Sequence, residues 1–195
     1  MKKCLVLTML LALLILTACG QKQAPAAPAS AETAPTGGSV QLTNPWREVS
    51  QAEAEALVPR SFGVPEGAEN ARWSVMDSAA DASGVPGPLV QLSFDLDGSS
   101  FTAREQRTND AESDSSGMYY EWTVQDESTL QKWPVENGLC RLYRYIGEDG
   151  YADLCTWYDA EAGVSYSLSV TAKDLDGFDI RAVADALYVP APAAG

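Results

Sequence analysis

Near the end of the chain Val164, Tyr166, Leu168 and Val170 alternate with Ser165, Ser167, Ser169 and Thr171. Strand side chains point to opposite faces with a period of two, so this run specifies a strand with one buried and one wetted face. The alternation recurs upstream. Val90, Leu92, Phe94 and Leu96 interleave with Gln91, Ser93 and Asp95, and Asp97-Gly98 turns the chain into "SFTAREQR". Several such runs in one chain demand an antiparallel sheet whose apolar side is covered.

The remaining elements fit that demand. "RWSVM" reads as a strand, and "MYYEWTV" as another with Met118, Tyr120, Trp122 and Val124 on one side. Cys140 and Cys155 sit on two strands joined around Glu148-Asp149-Gly150. Ser50-Gln51-Ala52-Glu53 is a capping box opening the short helix "QAEAEALV", which Pro59 stops. Asp176 to Asp179 lead into "DIRAVADALY", where Ile180, Val183, Ala184 and Leu187 share a helical face. The expected fold is α+β. An N-terminal short helix precedes a curved antiparallel sheet of about seven strands in meander order, and a C-terminal helix packs on it.

The start of the chain carries an address. Lys2 and Lys3 precede about a dozen mostly apolar residues, too few for the roughly 20 that span a bilayer. Such a pattern describes a secretory leader. Leu16-Thr17-Ala18-Cys19 resembles the lipobox of bacterial lipoproteins. That resemblance implies cleavage before Cys19 and acylation of its thiol and new amine. Two or more acyl chains suffice for stable anchoring, so the chain is expected at the outer side of a cell membrane. Residues 19–45, rich in Ala, Pro, Ser and Thr, read as a flexible tether. The expected organisation is therefore a leader at 1–18, that tether, one domain at 46–189 and a short tail at 190–195.

Three segments, "VPEGAENARW", "LVQLSFDLDGSSFTAR" and "TWYDAEAGVSYSLSV", carry a further resemblance, strongest in Trp157, the turn at Gly163 and Tyr166. Between Val64 and Tyr188 the chain is similar to an uncharacterised extracytoplasmic domain of small bacterial lipoproteins. The same domain forms the outer part of some anti-sigma-factor-like membrane proteins. The resemblance implies a curved antiparallel sheet and no known activity. With no cytoplasmic anti-sigma segment or spanning helix in this sequence, a transmembrane signalling role does not carry over.

Charge narrows the partners. Removal of Lys2 and Lys3 with the leader leaves 11 basic against 27 acidic side chains, a balance of −16. Nucleic acid is disfavoured as a partner, because its phosphates require Lys and Arg clusters. A flat approach to anionic lipid is disfavoured for the same reason. Solubility near a negative surface, or a cationic partner, fits the balance.

Chemistry is narrowed further by what the chain lacks. It has no histidine, which removes Ser-His-Asp and Cys-His nucleophiles and His-ligated zinc. Apart from Gly37-Gly38 in the tether its glycines stand singly, with no phosphate-cradling motif, and no cofactor is expected. Asp95, Asp97, Glu105, Glu121, Asp153 and Asp159 are the carboxylates from which a glycosidase-like pair could be drawn. Asp110, Glu112 and Asp114, with Glu121 further on, mimic the oxygen spacing of a calcium loop. Ser115, however, holds the position that such a loop reserves for glycine.

Two features of the cysteine hairpin remain. Cys140 and Cys155 have the parity of one face, and an exported chain meets an oxidising compartment, so a disulfide is expected. A four-residue loop would place them directly opposite, whereas an Asp149-Gly150 turn would offset them. One hairpin face carries Cys140, Leu142, Ile146, Cys155 and Trp157. The other carries Leu139, Arg141, Tyr143, Tyr145, Leu154 and Tyr158. A sheet apolar on both sides needs a second cover, or it offers an aromatic platform with an arginine to a ligand or protein. Arg141, Tyr143, Tyr145 and Tyr158 form the candidate binding face. The reading is a lipid-anchored, non-enzymatic binding or sensing module, with a carboxylate-dependent hydrolase or a structural envelope component as the alternatives.

Overall fold

The computed structural model of the chain describes residues 44–81, 84–135 and 139–190. The leader, the lipidation candidate Cys19 and most of the tether lie outside that range. In chain order the elements are β1 (Arg47–Val49), α1 (Gln51–Leu57), β2 (Glu69–Ala80), β3 (Pro86–Leu96) and β4 (Ser99–Arg107). They continue with β5 (Val124–Ser128), β6 (Cys140–Gly147), β7 (Gly150–Asp159), β8 (Val164–Ala172) and α2 (Ile180–Ala186). All eight strands join one antiparallel sheet in the order β1-β2-β3-β4-β8-β7-β6-β5.

Two details correct the sequence expectation. The strand count is eight instead of about seven, because the three residues of β1 pair with β2. Three residues are too few to display a period. The sheet is also not one continuous meander. After β4 the chain leaves for the far edge, lays down β5, and returns through β6 and β7 until β8 pairs with β4. Two meanders therefore meet at a central seam.

On the inner face, Val90, Leu92 and Phe94 of β3 align with Glu105, Ala103 and Phe101 of β4. These in turn align with Tyr166, Leu168 and Val170 of β8. All nine are buried. The cover is α1 through Ala54, the residues after it through Val58 and Phe62, the stretch before β6 through Leu130 and Trp133, and α2. Ile180, Val183, Ala184 and Leu187 are all buried, so the helical spacing read from the sequence is the spacing that packs. Phe62 lies among Trp133, Trp157 and Tyr166 at ring distances of 6.2, 6.4 and 5.5 Å. Trp133 Nε1 donates to Ala184 O at 2.8 Å, tying this aromatic cluster to α2.

Local chemistry sets the element ends. Ser50 Oγ accepts from Glu53 N at 3.2 Å, as a helix cap should. Only half of the expected capping box forms, because the Glu53 carboxylate accepts from Arg47 of β1 at 2.7 Å instead. At the β3–β4 turn Asp97 (φ 50°) and Gly98 (φ 79°) are both left-handed, the geometry that suits a two-residue hairpin.

The inner face also holds ionisable groups. Glu105 is fully buried; Ser61 Oγ donates to its Oε1 at 2.7 Å, and Oε2 has no hydrogen-bond partner among the described residues. Burial pushes its carboxyl up to about 8 despite that hydrogen bond. Asp153 is held by the Arg144 guanidinium through two bonds of 2.7 and 2.6 Å.

Candidate functional site

The outer face is built differently. Strand parity places Ser165, Ser167 and Ser169 of β8 there, beside Leu154, Thr156 and Tyr158 of β7. Arg141, Tyr143 and Tyr145 of β6 complete it. Over these residues lies the segment 108–123, which has no regular secondary structure. Its composition explains why. Thr108 Oγ1 accepts from Asp110 N, Asp110 Oδ1 from Glu112 N, Asp114 Oδ1 from Ser116 N, and Ser116 Oγ from Met118 N. Short polar side chains that bond the backbone two residues on replace a ladder with a string of turns.

This segment, hereafter the flap, is fastened by hydrogen bonds. Ser165 Oγ donates to Ser113 O at 2.6 Å, Ser115 Oγ lies 3.2 Å from Ser167 Oγ, and Tyr158 OH donates to Thr108 O at 3.2 Å. Arg104 of β4 donates to Gln91 Oε1 and to Ser116 O, while Trp46 packs 5.1 Å from its guanidinium. The serines that read from the sequence as a wetted face are the seat of the flap. Ser165 and Ser167 are buried, as are Ser113, Ser115 and Ser116 above them.

Further along, the flap turns aromatic. Tyr120 packs on Tyr145 at 4.8 Å and on Trp122 at 5.3 Å, and Trp122 packs on Tyr143 at 5.5 Å. The strand expected for "MYYEWTV" is therefore corrected, since pairing with β6 begins only at Val124. Period-two alternation is there, but it serves to lay rings across a sheet face.

Between the polar and aromatic parts of the flap and the β6–β7 hairpin opens a cleft of about 320 Å³. Its polar groups include Glu112 and Asp114 from the flap and Arg141 from β6; Trp122, Tyr143 and Tyr158 supply its rings, with Leu154 and Thr156 between. Arg141 donates to Glu112 at 2.5 Å, which holds the guanidinium above its ordinary value. Three of the four residues singled out from the sequence, Arg141, Tyr143 and Tyr158, thus share one cleft; Tyr145 stands beside it under Tyr120. All four are half-buried, so the second cover is a loop that leaves part of an aromatic surface accessible. Trp122, Glu112 and Asp114 were not among the binding residues expected. Their signal was present, but it read as a strand and a calcium spacing.

The calcium spacing is not gathered into one cluster among the described residues. Asp110 and Asp114 each spend an oxygen on the flap backbone, Glu112 pairs with Arg141, and Glu121 is exposed. No group of three or more acidic or cysteine side chains is placed to hold a metal among the described residues. The six carboxylates of the hydrolase alternative divide between the outer surface and the buried inner face. Asp95 is held by Ser100 and Asn70, Asp97 sits in a turn, and Glu121 is on the flap. Glu105, Asp153 and Asp159 are buried on the inner face.

Cys140 and Cys155 are both buried and stand as separate thiols in this structure. The hairpin loop is Glu148-Asp149, with Gly147 opposite Gly150, so Cys140 stands opposite Trp157 and Cys155 opposite Leu142. The thiols are diagonal neighbours joined by a side-chain hydrogen bond that lowers Cys140 and, with burial, raises Cys155. Ile146, expected on the apolar face, is exposed at the end of β6.

No helix of the described residues is long and apolar enough to cross a membrane. No family model matches the chain, and no curated protein or solved structure shows significant similarity to it.

Proposed function

We propose that this chain is a lipid-anchored, extracytoplasmic binding module whose ligand site is the cleft between the flap and the β6–β7 hairpin. The observation that carries the reading is a convergence. A guanidinium, two carboxylates and three aromatic side chains, drawn from three separate stretches of sequence, line one accessible concavity. A sheet face meant only for solvent would not gather rings there. The rest of the module supports such use: the inner face supplies rigidity, and the outer face supplies a surface on a scaffold that does not have to move.

The anchor is argued from the sequence alone. The basic head, short apolar run and Leu16-Thr17-Ala18-Cys19 fit lipid attachment, and the Pro- and Ala-rich tether would lift the cleft away from the headgroups. Fractionation of cells expressing the native chain and Cys19→Ala tests it. The variant should leave the membrane fraction for the soluble one. Equal membrane retention of both would refute the anchor.

The binding role is tested on the purified full chain by a thermal-shift screen, repeated with Tyr143→Ala. Compounds that raise the melting temperature of the native chain should lose that effect in the variant. Shifts that persist in a folded Tyr143→Ala chain would move the site elsewhere. Non-catalytic binding also predicts that bound compounds are recovered unchanged.

A further inference from the structure

Resting on the cleft reading above, we propose that the ligand is an uncharged, extended oligosaccharide lying along the aromatic rings of the outer face. The rings form a continuous ridge two rings long and two deep, in which Tyr120 and Trp122 of the flap, 5.3 Å apart, lie on Tyr145 and Tyr143 of β6 at 4.8 and 5.5 Å. The 320 Å³ cleft lies at its Tyr143 end. A second hollow of about 440 Å³, bordered by Ala152 and Thr171, lies at its Tyr145 end. Ala152 and Thr171 are cross-strand partners on the same outer face, so hollow, ridge and cleft make one track along β6. A track of that form suits a chain of units better than a single compact molecule.

The chemistry of the track selects among chains. Polyanions are disfavoured by the −14 formal charge of the sequence and by Glu112 and Asp114 at the cleft. Polycations meet the opposite obstacle. Arg141 stands in the cleft and already neutralises Glu112, so a cation would have to displace it. A neutral polymer rich in hydroxyls meets neither. Each hydroxyl both donates and accepts, and the cleft offers a donor in Arg141, acceptors in Glu112 and Asp114, and groups that do both in Thr156 and Tyr143. Sugar rings also present flat C–H faces, which match the apolar faces of Trp122 and the tyrosines.

Gly147 adds a graded handle. The Tyr145 ring lies across it, so that a Cβ at this position would meet the Tyr145 hydroxyl oxygen at 2.5 Å. Gly147→Ala therefore shifts one ring of the ridge without deleting it.

The test uses the detergent-solubilised full chain, titrated with cellohexaose, chitohexaose and maltohexaose and followed by tryptophan fluorescence and calorimetry. Octalysine and polygalacturonate are the charged comparators. At least one neutral hexasaccharide should bind, more tightly than its disaccharide by about tenfold or more. Trp122→Ala and Tyr143→Ala should each weaken binding by about tenfold, and Gly147→Ala by about threefold. Tyr119→Ala, at a side chain 92% exposed and off the ridge, should leave affinity unchanged. Tyr120→Ala replaces Trp122→Ala if the latter does not fold.

Failure of all three hexasaccharides overturns the proposal. If a charged comparator then binds and the ridge variants abolish that binding, the sugar reading falls while the cleft reading stands. If a hexasaccharide binds but folded Trp122→Ala and Tyr143→Ala chains keep native affinity, both readings fall together.

Discussion

The two faces of the sheet are made by the same strands, one residue out of step, and they are held together by different forces. On the inner face the row Leu92, Ala103, Leu168 and Cys155 is wholly buried and carries no charge. One step along, the outer row is Gln91, Arg104, Ser167 and Thr156. The inner cover is apolar and close-packed, so its energy scales with volume and area. The outer cover is a loop pinned by hydroxyl and carbonyl contacts, each worth about 1 kcal/mol net, and by guanidinium contacts worth about 1.5–3 kcal/mol. Stability therefore concentrates on one side, and freedom to vary chemistry on the other.

The sharpest way to break this contrast is Phe62→Ala. Phe62 is fully buried among three rings, and its loss should cost about 3–5 kcal/mol in urea or thermal unfolding. A cost comparable to that of an outer-face hydroxyl would erase the distinction.

Glu105 offers the next largest effect, through pH. The folded chain keeps its proton up to about 8, whereas the unfolded chain releases it near the ordinary value of 4.5. Folding therefore takes up a proton between these values. The contribution is full below pH 4.5 and declines as pH rises, until the folded carboxyl also ionises near 8. Glu105→Gln, neutral throughout, should lack this decline and be the more stable chain above pH 8. Parallel stability curves for the two chains would show that Glu105 is ionised in the fold.

On the outer face, Ser165→Ala removes the bond to Ser113 O and should cost about 0.5–1.5 kcal/mol. Amide exchange in residues 108–123 should quicken while the inner strands stay protected. Uniform acceleration across the sheet would mean that the flap is part of the core. The smallest effect belongs to Glu112→Gln. Its side chain is 70% exposed, so loss of the Arg141 pair should change stability by less than about 1 kcal/mol.

How far the sequence foretold the molecule follows the same division. β8, β3 and α2 were legible because their packing faces repeat at the period of the element, as in Val164, Tyr166, Leu168 and Val170. β1 was not, since three residues hold no period. Met118 to Thr123 misled because alternation specifies which way side chains point, and not what the backbone bonds to. The thiol offset turned on a single choice of loop residues that no pattern around Glu148-Asp149 decides. Parity on β6 and β7 put Arg141, Tyr143 and Tyr158 on one face, and they do line one cleft; the contact of Trp122 with Tyr143 spans a loop, which parity does not reach. Local rules reached as far as one strand and its face.

The junction of β4 with β8 has a consequence for how the chain matures. Its two strands are separated by more than fifty residues, which include the flap and three other strands. A ribosome would release β1 to β4 long before their central partner exists, leaving an unsaturated strand edge beside Phe101 and Ala103. Closure of so long an intervening loop should make that final pairing the slow step of assembly. If the chain is exported as proposed, such a delay would be an asset, since translocation needs a polypeptide that has not yet closed on itself.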